Sequence, residues 1–263
     1  MADDGARRAM LVMRETQMAT FEQAAIHNFE NRLLEHLKEF FPRHCEIFGE
    51  EQVRKVIRLG IERAEQYELV SERDLYLYVG LMFMLGSYFD QDPQLPWAAK
   101  ILKDENIADP SDRIDQLHDR AMAFLNEAAG QENQYEERAL RKVCELPASA
   151  LSRTGEDREL SFGDYMLKLL YALFPEKYQA VGDVAIRQLV RQGYQSARTY
   201  GLTDEKGITA YISLMFILGG GFDQDPQCPW AEAVLKDPAL TDPIKKGELL
   251  HKGALDYLGK WLA

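Results

Sequence analysis

A repeat restricts the fold of this chain more than any other feature. The segment FDQDPQLPW, residues 89–97, returns as FDQDPQCPW, residues 222–230, with one difference in nine positions. The offset is 133 residues, and it aligns residues 29–130 with residues 162–263 without a gap. Of the 102 aligned pairs, 37 are identical. They include Phe41-Pro42 with Phe174-Pro175, Gly60 with Gly193, Tyr67 with Tyr200, and LMFML before Gly86 with LMFIL before Gly219. A solenoid repeat is one short unit that borrows its core from its neighbours. A unit of this length can bury a core of its own. The reading is a tandem duplication, with a first copy at 13–130, a linker with a short helix at 131–160, and a second copy at 161–263. Two such copies are expected to pack about a pseudo-twofold axis, as the subunits of a homodimer do.

The patterning within a copy is helical. Residues 13–41 carry apolar side chains at helical spacing with no Gly or Pro, and Pro42 is expected to end that helix. Residues 13–27 have no clear counterpart in the second copy and read as an extra element. Val53, Val56, Ile57, Gly60, Ile61 and Ala64 form an i, i+3, i+4, i+7 stripe. Ser71 with Asp74 resembles an N-cap with an acidic third residue. The helix at 72–88 that follows is apolar on nearly all faces, so it belongs at the centre of its copy. Pro96 and Pro110 sit where a first-turn proline opens a helix. No segment alternates long enough for a strand. The expected fold is all-α, two roughly five-helix bundles in tandem, with a short linker helix near Tyr135 to Leu146.

Composition narrows the function classes. The net charge is -12 and the sequence pI is about 5.0. Nucleic acid and anionic membranes both require clustered Lys and Arg, so neither is an expected partner. The longest apolar run, residues 75–89, is shorter than the roughly 20 residues of a membrane span. Cys45, Cys144 and Cys228 are far apart and form no CxxC, which suits reduced thiols in the cytoplasm. MADDGARRAM lacks the apolar region of a secretory signal.

The duplicated motif is the first candidate site. Asp90 and Asp92, repeated as Asp223 and Asp225, have the i, i+2 spacing of a hard-cation loop. A calcium loop normally has more oxygen ligands and a glycine, whereas here Pro93 follows at once. The alternatives are a structural corner, a partner-binding surface and a ligand loop. The corner fits best: Asp before Pro signals a turn, Gln94 and Leu95 lead to Pro96, and Trp97 returns to the core. Gln227 and Trp230 repeat that course. Arg54 and Arg58, repeated as Arg187 and Arg191, lie one turn apart and are suited to a phosphate or carboxylate ligand. They are expected to pair with the motif's aspartates in their own copy. His118 and His251 match across the copies but have no evident nucleophile or metal partner. His27, His36 and His44 have no counterparts, and Cys228 stands where the first copy has Leu95. No glycine-rich phosphate loop, GxSxG or HExxH occurs. No cofactor or metal is expected, and the chain reads as non-enzymatic.

QMATF (17–21), FENRLLEHL (29–37), SERD (71–74) and LMFMLGSYFDQDPQLPWA (81–98) resemble a little-characterised bacterial all-helical family. Its members are single units encoded near type VI secretion and toxin genes. The resemblance covers the first copy and, from about Phe162, the second. It implies an accessory or adaptor protein for a secreted toxin or secretion component, acting through a protein partner. An immunity protein neutralising a toxin is the near alternative. An enzyme or small-ligand receptor built on the Arg/Asp cluster is the distant one. The sequence leaves monomer and homodimer undecided.

Overall fold

A computed structural model of the protein describes residues 15–263, with side chains described from His27 onward apart from Ala148. MADDGARRAM and the start of the extra element, Met13 and Arg14, lie outside the described residues, as do the QMATF side chains. The described chain is all-helical and contains no strand.

The first half runs α1 (Glu15–Phe40), α2 (Pro42–Phe48), α3 (Glu50–Glu65), α4 (Glu72–Leu85), a 3-10 turn (Phe89–Gln91), α5 (Pro96–Leu102) and α6 (Pro110–Ala128). A connecting helix, α7 (Gln134–Glu145), follows. The second half runs α8 (Phe162–Leu173), α9 (Pro175–Val181), α10 (Asp183–Thr199), α11 (Glu205–Leu218), a 3-10 turn (Phe222–Gln224), α12 (Pro229–Leu235) and α13 (Pro243–Leu262). The bounds of α2 and α9, of α4 and α11, and of α5 and α12 differ by the sequence offset.

Each half therefore has six helices where five were expected. The difference is Pro42, which ends α1 but also opens α2 at its first turn. Its fixed φ suits that position, and the amide it lacks would have been unpaired there anyway. Pro175 does the same for α9. Ser71 and Asp204 cap α4 and α11, accepting from the amides of Asp74 and Gly207. Such a cap satisfies a backbone donor with no partner inside its own helix.

Two cores form. Leu33, Val56, Ile57, Val79, Met82 and Phe89 are among the buried side chains of the first. Met166, Leu189, Val190, Ile212, Met215 and Phe222 are among those of the second. α4 and α11 run through the middle, with Tyr78 0% and Tyr211 1% exposed. Gly60 and Gly193 let the neighbouring helix approach. A Cβ on Gly60 would lie 2.6 Å from Val79 Cγ2, and one on Gly193 would lie 2.8 Å from Ile212 Cγ1. The halves also touch reciprocally. α6 packs on α9, and at the matching place Arg43 of α2 donates to the Lys260 and Trp261 carbonyls of α13. Ala180 and Val181 lean on the first core, and Ile47 and Phe48 on the second.

Candidate functional site

The two FDQDP corners meet. Asp92 accepts from the Gln94 amide at 2.8 Å, which fixes its own turn, and from the Gly220 amide in the other half at 2.6 Å. Asp225 accepts from the Gln227 amide at 2.9 Å and from the Ser87 amide at 2.7 Å. Gly220 is the position matching Ser87, so the bonds are reciprocal. The glutamines reciprocate too. Gln94 Nε2 donates to the Met215 carbonyl at 2.9 Å, and Gln227 Nε2 donates to the Met82 carbonyl at 2.8 Å. Each corner thus reaches the C-terminal turn of the other half's central helix.

The glycines make this contact possible. Gly86 ends α4 with φ 93, a left-handed value that favours glycine. A Cβ there would lie 2.9 Å from the Leu218 carbonyl oxygen of the other half. Where the halves' sequences depart, SYFD against GGFD, the reason is crowding. Tyr88 lies against Gly221, where a Cβ would come within 2.7 Å of its ring. The one tyrosine occupies space that a second, at the matching position, would need.

Asp92 and Asp225 are 5% and 3% exposed. Burial pushes both carboxyls above the ordinary aspartate range, against the pull of the amides that donate to them. Asp90 and Asp223 face the opposite way, into their own halves. Asp90 pairs with Arg63 and accepts from the Tyr67 hydroxyl at 2.7 Å. Asp223 has no arginine, because Ser196 stands at the position of Arg63. It accepts instead from the hydroxyls of Tyr200 at 2.7 Å and Tyr211 at 2.9 Å. The two aspartates of each motif therefore diverge and do not form a cation loop. Among the described residues no group of three or more His, Cys, Asp and Glu side chains is placed to hold a metal ion.

The arginine expectation is corrected. Arg54 and Arg58 both bind Glu30, at 2.9 and 3.0 Å, and Arg54 also binds Glu50. Burial works against the Glu30 carboxylate, but its bonds to Arg58 and Arg54 hold it below the ordinary glutamate value. Arg187 binds Asp183 at 2.7 Å and Asp164 at 3.5 Å, and Arg191 is exposed. None of the four reaches an FDQDP aspartate. Both sides of α3 are involved: Arg54 and Arg58 face α1, and Arg63 faces the corner. Trp97 and Trp230 are half-buried, packed on Phe124 and Tyr257.

The corners form the floor of an open cleft between the halves, with a volume of about 910 Å³. Gly86, Gly219, Asp92, Gln94, Asp225 and Gln227 line that floor. Phe41, Phe83, Phe174 and Trp261 contribute aromatic walls, and Glu132, Glu136 and Glu137 stand on one rim. His44 and Lys177, at matching positions, both line it. His44 lies among Phe41, Phe48, Phe83 and Trp261, and burial pulls it down to about 4. Burial also lowers Lys177, opposed by the charges of Glu136 and Asp92. It donates to the Ile217 carbonyl at 3.3 Å.

Of the twelve candidate residues, Asp92, Gln94, Asp225 and Gln227 line the cleft. The arginines, the tryptophans, Asp90 and Asp223 do not. His118 is half-exposed near Asp119, whereas His251 lines a small apolar cavity in the second half. Sequence comparison missed Arg63 and Glu30 because neither is repeated. It missed Lys177 and the Ser87 and Gly220 amides because nothing in their own sequence marks them. No family model matches the chain, and no curated protein or solved structure matches it either.

Proposed function

We propose that the chain is a tandem duplication of one helical unit, its copies packed about a pseudo-twofold axis, and that it is a non-catalytic binding protein. Its partner, another protein, sits in the cleft between the copies. The reciprocal bonds support the duplication, since the amide-to-aspartate and glutamine-to-carbonyl bonds across the halves recur 133 residues on with the halves exchanged. That is the contact pattern of an isologous interface. The binding reading rests on the cleft. At about 910 Å³ it lies at the upper end of the range for ligand pockets, roughly 300–1,000 Å³. Apolar and aromatic walls with a polar rim are the composition of a protein-binding surface. The partner class is that implied by the family resemblance, a secreted toxin or type VI secretion component, which makes this chain its accessory or adaptor. An immunity protein would use the same cleft to neutralise the toxin.

Co-purification from the native host tests the reading. Phe40 is 62% exposed and lines the cleft, so Phe40→Asp alters the wall without touching either core. Val184 is 82% exposed and lies outside the cleft. The expected result is a partner retained by the wild type and by Val184→Asp but lost with Phe40→Asp. An identical set of retained proteins for all three overturns the reading.

A further inference from the structure

The cleft has an unbalanced charge. Three cationic side chains line it against five carboxyl side chains. The three cations already have partners. Arg141 pairs with Glu137 at 2.5 Å. Arg43 donates to the carbonyls of Lys260 and Trp261 at 3.0 and 2.8 Å. Lys177 donates to Ile217 and lies 5.1 Å from the centre of the Phe216 ring; its charge acts on Asp92 and Glu136 without a direct ion pair to either. On the other side, Glu132 and Glu136 are exposed on the rim with no ion pair among the described residues. Asp92 and Asp225 lie in the floor with uncharged donors only. The C-terminal ends of α4 and α11 also meet at this floor, through Gly86 and Gly219, and a helix C-terminus carries partial negative charge.

A second observation is independent of the charge count. Gln94 lines the cleft, is 3% exposed, and its Oε1 has no hydrogen-bond donor. The amide cannot be turned around to remove the problem. Its Nε2 faces the Met215 carbonyl and the Asp92 carboxylate, and both of these accept. A buried acceptor without a donor is costly and rare in a finished structure. What the floor lacks is a donor, and what the rim lacks is positive charge.

We infer that the partner seats a basic segment in this cleft, inserting a lysine or arginine flanked by apolar residues between the Glu132–Glu136 rim and the floor of Gln94, Asp92 and Asp225. This rests on the reading that the cleft is where the partner binds. Lysine brings three donors and arginine five, with no acceptor on either. Their aliphatic stems lie along apolar walls while the charged end reaches polar groups. Phe41, Phe174 and Trp261 provide such walls, and aromatic faces attract cations. An acidic segment would add like charge to the five carboxylates.

The test uses the full chain and three fluorescently labelled seven-residue peptides. They share their apolar residues and carry lysine, glutamine or glutamate at the same two positions. Anisotropy titrations are expected to show saturable binding of the lysine peptide, at least tenfold tighter than the glutamate peptide and weaker as salt rises. Glu132→Gln together with Glu136→Gln, both at exposed positions, should weaken the lysine peptide roughly threefold to tenfold. The melting temperature should not change. Equal binding of all three peptides, or no binding by any, overturns the basic-segment inference. The cleft reading fails separately, if retention of the host partner is indifferent to Phe40→Asp.

Discussion

Asp225→Asn tests the junction between the halves with a change of two atoms' chemistry and almost none of shape. Oδ2 of Asp225 accepts from the Ser87 amide at 2.7 Å, and Oδ1 accepts from the Ser87 hydroxyl at 2.6 Å and the Gln227 amide at 2.9 Å. An asparagine has one oxygen and one NH2. Whichever way it turns, the NH2 meets a backbone N–H that then has no acceptor. Leaving a buried donor unpaired costs about 1–3 kcal/mol. The neutral amide offsets part of this, because burying the carboxylate is itself unfavourable. A net loss of about 2 kcal/mol is expected from urea unfolding followed by circular dichroism. The pH dependence has a defined sign. Burial raises the Asp225 carboxyl in the folded protein, so its contribution to stability is full below the ordinary aspartate value and falls as pH rises through the raised one. The asparagine lacks that contribution. The cost of the substitution should therefore be largest near pH 4 and smaller at pH 7. A cost under about 0.5 kcal/mol at every pH, or one that grows toward neutral pH, refutes the reasoning.

Three further outcomes follow from the same geometry. His44 is pulled down to about 4 by burial, so the stability it contributes is present above about 6.5 and lost as pH falls toward 4. On the order of 2–3 kcal/mol should go in that window, and His44→Gln should flatten the acid limb of the stability curve. Arg63→Met leaves the fully buried Asp90 with only a tyrosine hydroxyl and should cost about 3–5 kcal/mol. Arg63→Ser, which reproduces the second half, should cost less. The buried Tyr78 hydroxyl, beside Arg63 and Asp90, can then serve Asp90 as Tyr211 serves Asp223. Gly60→Ala should destabilise by about 1–3 kcal/mol, although alanine is the better helix former, because its Cβ would press on Val79 and Met82. Urea midpoints read all three.

The central helix of the first half was legible because a capping residue, Ser71, and an apolar run too wide for one face agree. The expected end at residue 88 was too late, because Gly86, with φ 93, ends α4 at Leu85. α2 and α9 were not legible, since a proline after a long helix reads as a stop whether or not a short helix follows it. The corner was legible as a corner, from Asp-Pro and the proline-started α5. Its principal role was not, because the acceptors' partners are backbone amides of Ser87 and Gly220, and an amide has no sequence signature. The pairing of Arg54 and Arg58 with the aspartates failed for a geometric reason. The helix face that carries them looks toward α1, and Arg63, further along α3, is the residue that reaches the corner. Comparing the halves hid Arg63, since the second half solves the same burial problem with two tyrosines. The cleft could not be foreseen at all. It arises from how the halves meet, and its lining comes from positions scattered between Phe40 and Ala263.

Site-specific photocrosslinking tests the central claim most directly. p-Benzoylphenylalanine is placed at Phe40 on the cleft wall, or at Val184 on the open surface of the second half, in chain expressed in the native host. The account predicts a discrete crosslinked partner from position 40 and none from position 184. Crosslinking of the same partner from position 184 but not from position 40 contradicts it.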